Sequence, residues 1–71
     1  MTVEVTAPMS GKIIALLCKV GDQVQLEDEL MTLEALKMEN PIYAPAAGRV
    51  SEIRTSLGAT VESNQVLLII E

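Results

Sequence analysis

Apolar positions along the chain come in short runs punctuated by turn-forming residues. Residues 3–7 alternate apolar and polar side chains and stop at Pro8. Gly11 opens an apolar run over residues 12–20, Gly21-Asp22 breaks it, and residues 23–26 make a further short strand. Glu27-Asp28-Glu29 then bends the chain into an apolar stretch at 30–34. Short runs with turn signals about every eight to twelve residues predict strands packed as a sandwich or flattened barrel. A helix over residues 26–38 is the competing pattern, since Leu30, Leu33, Lys37 and Met38 can share a stripe and Glu, Leu, Ala, Lys and Met favour helices.

An internal repeat decides between them. Residues 7–34 match residues 44–71 without a gap at a spacing of 37. Ala7-Pro8 falls on Ala44-Pro45, Gly11 on Gly48, Gly21 on Gly58, Val24 on Val61, Leu30 on Leu67 and Glu34 on Glu71. Glycine and proline constrain or free the backbone, so their coincidence marks shared geometry and not only shared hydropathy. The stretch 30–34 coincides with the β-branched run around residues 66–70, which argues against the helix and favours the strand. The chain therefore reads as one all-β domain, residues 1–71, made of two copies of one unit that pack about a pseudo-twofold axis because neither can bury its apolar face alone. Residues 35–43 link the copies. If 30–35 and 38–43 are antiparallel neighbours, Leu36-Lys37 is the two-residue turn between them, and the termini lie at the opposite end. The expected core is Val5, Ile13, Leu16, Cys18, Val24, Leu30, Leu33, Ile42, Val50, Ile53, Val61, Leu67 and Ile69 or Ile70. Gly11, Gly21, Gly48, Gly58, Pro8 and Pro45 are assigned to turns and barrel closure, and Lys12, Lys19, Arg49 and Arg54 to solvated surface.

Composition narrows the functional classes. Apolar residues make up 49% of the chain but Tyr43 is its one aromatic, so the core is built from aliphatic side chains. The net charge of −5 argues against nucleic-acid binding through phosphates. No apolar run approaches the roughly 18–20 residues of a membrane-spanning helix. Cys18 has no partner for an intrachain disulfide and, with no histidine, no companions for a metal site; a buried thiol in a reducing, cytoplasmic setting is the expectation.

Lys37 stands out against this background. A two-residue hairpin favours Asn-Gly or Asp-Gly because both central residues take positive φ, so Leu36-Lys37 is a poor choice on local grounds. Local rules fail most often where function overrides them. An amine acting as a catalyst needs burial or cationic neighbours, whereas Lys37 has Glu34 and Glu39 close in sequence. No nucleophile–base set or glycine-rich phosphate loop is present, so the domain is not expected to be an enzyme by itself.

The stretch Glu34-Ala35-Leu36-Lys37-Met38-Glu39 resembles the attachment motif of the biotinyl domain family, written Ala-Met-Lys-Met. The resemblance extends through Val5-Thr6-Ala7-Pro8-Met9-Ser10-Gly11, Gly21-Asp22-Gln23-Val24, Ala44-Pro45-Ala46-Ala47-Gly48 and Gly58-Ala59-Thr60-Val61. It implies a flattened β-barrel, or barrel-sandwich hybrid, of two four-stranded antiparallel sheets with the modified lysine on an exposed hairpin. It also implies covalent biotin on Lys37 within a motif of Glu34, Ala35, Leu36 and Met38. Biotin protein ligase would attach it, biotin carboxylase would load carboxylate, and a carboxyltransferase or decarboxylase subunit would receive it. Leu36 departs from the usual methionine, with similar volume and polarity. Asp28 stands where relatives often carry glycine, and the ungapped repeat leaves no room for the protruding thumb hairpin of some carriers. Two other readings share the fold: a lipoyl carrier of a 2-oxo acid dehydrogenase complex, whose lysine is typically flanked by Asp and Ala, and an unmodified structural module.

Overall fold

The computed structural model describes residues 2–71, and all the regular structure in them is β. Eight strands follow in order: β1 (Val3–Thr6), β2 (Gly11–Leu16), β3 (Gln23–Val24), β4 (Glu29–Ala35), β5 (Met38–Tyr43), β6 (Gly48–Ile53), β7 (Thr60–Val61) and β8 (Val66–Ile70). They form two four-stranded sheets, ordered β1-β8-β6-β3 and β5-β4-β2-β7, and every pairing is antiparallel. Replacing each strand of the first sheet by its counterpart 37 residues away gives the second sheet in the same order.

Each sheet thus takes two strands from each half of the chain. The turns are tied down across the same divide. Gly21 N–H donates to the Val50 carbonyl at 2.8 Å, and its counterpart Gly58 N–H donates to Ile13 at 2.7 Å. Ala7 N–H donates to the Gln65 carbonyl at 2.9 Å, and Ala44 N–H to Asp28 at 2.8 Å. The Val3–Ile70 pair is likewise the counterpart of Asn40–Leu33, so the end of the sandwich related to the β4–β5 hairpin is the one where β1 starts and β8 ends.

The core lies between the sheets and contains Val5, Ile13, Val24, Leu30, Leu33, Ile42, Val50, Val61 and Leu67 as expected, with Ile70 buried in preference to Ile69. Leu16, Cys18 and Ile53 are only half-buried against it. Alternation along the strands misses Met31 and Leu68, which are fully buried next to Leu30 and Leu67. The ladder slips at both places: the β4–β5 register shifts between Glu29 and Met31, and Val5 opposite Leu68 is followed by Thr6 opposite Val66. A bulge inserts one residue into the ladder, so two successive side chains can turn to the same face.

Three other expectations are corrected. The strand placed at 12–20 ends at Leu16, because the chain there leaves one sheet for the other; Leu17 and Val20 are exposed in the crossing. The Asp22 carboxylate accepts the Lys19 N–H at 2.9 Å and bends that crossing into the short β3. The left-handed residue of the bend before β4 is Glu27 (φ 70°), matched by Asn64 (φ 70°), so the position favouring glycine is one residue before Asp28. Finally, Gly11 and Gly48 open strands instead of forming turns.

Their role is close approach. A Cβ on Gly48 would lie 2.6 Å from the Glu71 carbonyl oxygen and 2.6 Å from Ile70 Cγ2, and one on Gly11 would collide with the Glu34 carbonyl oxygen. Gly48→Ala is therefore expected to lower the unfolding free energy by about 1–3 kcal/mol, the usual cost of overpacking. Urea denaturation measures this, and a loss near zero would show that the neighbouring strand end yields freely.

Candidate functional site

The β4–β5 hairpin closes on the pair Ala35–Met38, leaving Leu36-Lys37 as its connection. Both take left-handed backbone angles, φ 54° and 62°. That is the geometry of a two-residue turn matched to the twist of its flanking strands. Neither residue is glycine, asparagine or aspartate, so each carries a steric cost of about 1 kcal/mol or more. The sequence expectation about this turn, including its poor local chemistry, describes what the backbone does.

The side chains are laid out by register. Ala35 is buried at the end of the core. Leu36 is 91% exposed and Met38 64% exposed, two large apolar side chains on either side of an exposed lysine. Glu34 and Glu39 stand directly opposite one another on the outward face, with Lys12 opposite Glu34 on its other side. Like charges directly opposed in a ladder are destabilising, on the order of 0.2–1 kcal/mol. Among the described residues the ion pair that forms is Arg54–Glu52 at 2.9 Å, between the exposed face of β6 and the residue that follows it, so the Lys37 amine is held by no carboxylate.

One contributor was missed from sequence. The Asn40 side-chain amide donates to the Met38 carbonyl at 3.3 Å and braces the first residue after the turn. The available signal was an asparagine inside a strand, a residue type depleted there.

What the tip offers chemically is an accessible primary amine framed by apolar side chains, with no neighbour placed to make it a base. A groove of about 350 Å³ between β1 and β5, lined by Pro8, Pro41, Tyr43 and Pro45 among others, does not include the tip. No cluster of three or more metal-ligating side chains occurs among the described residues. Cys18 is half-buried where a wholly buried thiol was expected, beside Leu16, Leu17, Lys19 and Asp22, because β2 has already ended. Burial first and the Asp22 charge second push its thiol pKa above the ordinary cysteine value. Neither crossover, residues 17–22 or 54–59, carries a protruding hairpin.

An aliphatic barrel-sandwich presenting one lysine on a hairpin is the architecture of an attachment domain. The family described as "Biotin-requiring enzyme" (Biotin_lipoyl) matches residues 2–70, and the chain belongs to it. It is 50% identical over 64 residues to the biotin carboxyl carrier protein of Streptococcus mutans, covering 90% of this chain and 49% of that one. It is 31% identical over 70 residues to the biotinylated protein TB7.3 homolog of Mycobacterium leprae, covering 99% of both. The solved urea carboxylase of Kluyveromyces lactis contains the same fold with a TM-score of 0.93 and 25% identity, matching 100% of this chain and 6% of that one. The chain thus spans about half the length of the Streptococcus relative and resembles a domain within a much larger carboxylase.

Replacing Leu36 with asparagine relieves one left-handed position without touching the lysine. Leu36→Asn is expected to raise the unfolding free energy by about 0.5–1 kcal/mol, read from urea denaturation. A destabilised variant would mean that Leu36 contributes packing its exposure conceals.

Proposed function

We propose that this chain is a single biotin carboxyl carrier domain and that Lys37 is the residue acylated by biotin. The observation that carries the reading is the position of the amine. It is exposed, unpaired with any carboxylate, and held on a two-residue left-handed turn anchored by the Ala35–Met38 pair. These features fit an acceptor for a bulky carboxylic acid: the amine is open to solvent and nothing in the core must move to reach it. The names of the Streptococcus and Mycobacterium relatives support biotin over lipoic acid.

In this reading the chain's own residues do little chemistry and much positioning. The Lys37 Nζ forms the amide and loses its positive charge, leaving Glu34 and Glu39 as the charged groups of the tip. Ala35 seats the hairpin on the core, and Asn40 holds the Met38 carbonyl. Bound biotin supplies a ureido nitrogen that accepts and gives up carboxylate. The protein supplies reach and effective concentration. Its partners are a biotin protein ligase, a biotin carboxylase and a carboxyltransferase or decarboxylase, in a cytoplasmic setting with which the free thiol of Cys18 is compatible.

Incubation with biotin protein ligase, biotin and ATP tests this. The wild-type chain gains the mass of one biotin amide and reacts with streptavidin. Lys37→Ala does neither, while its stability stays within about 0.5 kcal/mol of wild type, as for most exposed substitutions. Biotin on the Lys37→Ala chain would move the site to Lys12 or Lys19, and a lipoyl mass increment in cells would replace biotin as the group.

A further inference from the structure

We propose that Met38 is a reversible oxidation site whose conversion to the sulfoxide slows acylation of Lys37. The inference rests on the reading of Lys37 as the acceptor and adds a control to it. Three of the four methionines lie among the described residues, and their surroundings differ sharply. Met31 is fully buried between the sheets, Met9 is 36% exposed, and Met38 is 64% exposed. Across the ladder from Met38 stands only Ala35, whose methyl group is too small to shield the thioether beyond the end of the sandwich. On the other side of Lys37, Leu36 has no sulfur, so the tip has one oxidisable flank.

The chemistry is complete with a peroxide as oxidant. The thioether sulfur attacks one peroxide oxygen, the O–O bond breaks, the sulfur keeps that oxygen as the sulfoxide, and the other oxygen leaves as water. Sulfur loses two electrons and the peroxide gains them. Thiol-dependent methionine sulfoxide reductases reverse the change, one enzyme for each sulfoxide epimer. The product replaces an apolar flank with a strongly hydrogen-bonding oxygen one residue from the acceptor amine. An enzyme that closes over the Lys37 amine must cover this flank and strip water from that oxygen. An uncompensated polar group costs enough to slow loading about tenfold. Because the Asn40 bond goes to the Met38 backbone carbonyl, oxidation changes the flank without dismantling the turn.

The unbiotinylated chain is treated with hydrogen peroxide, mapped by peptide mass, and assayed for its initial rate of biotinylation by the ligase. Met38 is expected to gain one oxygen before Met9, with Met31 unchanged. The rate is expected to fall about tenfold and to recover after treatment with both reductases. In Met38→Leu, treated and untreated samples load at one rate, whatever that rate is. An unchanged rate with Met38 oxidised, slower oxidation of Met38 than of Met9, or a rate loss that persists in Met38→Leu would each overturn the inference. An untreated wild-type chain that takes no biotin brings down the reading of Lys37, and this inference with it.

Discussion

Neither repeat completes a sheet without the other. The interior strand β4 lies between β5 and β2, and the interior strand β8 between β1 and β6, so each half lends an edge strand to the half it packs against. Leu30, Met31 and Leu33 on one interior strand, and Leu67, Leu68 and Ile70 on the other, are almost wholly removed from water. For an aliphatic core of this size, that shared burial is the principal stabilising term available. Glycine at positions 11 and 48 lets β2 and β6 approach the strand ends that Glu34 and Glu71 provide. The hairpin inherits its orientation from this frame, because β4 is bonded along both edges before it reaches the turn.

The tip concentrates features that the frame has to outweigh. Two residues with full side chains sit in the left-handed region, two carboxylates face each other, and two large apolar groups meet water. Each is a modest local cost. Their coincidence within six residues, next to the one lysine on the hairpin, is what separates this turn from an ordinary connection. Unfavourable local choices persist where the surrounding structure over-determines the backbone.

Glycine and proline spacing made the repeat readable, and the repeat made the architecture, the hairpin and its turn residues readable in advance. Interior positions that follow strict alternation, such as Ile13, Val24 and Val61, were legible for the same reason. Met31 and Leu68 were not, because a bulge turns two neighbouring residues inward and leaves no mark in a period of two. The end of β2 was hidden by the continuing apolar run Leu16-Leu17-Cys18, where only the tertiary path tells a strand from a crossing. The bracing by Asn40 depends on a side chain reaching a backbone carbonyl two residues away, which spacing alone does not reveal.

The last strand in chain order, β8, occupies an interior place in its sheet and pairs with both the first strand, β1, and the sixth. During synthesis, β1 therefore has no strand partner until residues 66–70 have emerged. Contacts between residues so far apart in sequence also make folding slower than in proteins closed by local contacts. The interleaving thus ties closure of the sandwich to β8, whereas the strands that carry the hairpin, β2, β4 and β5, find their partners within residues 11–43.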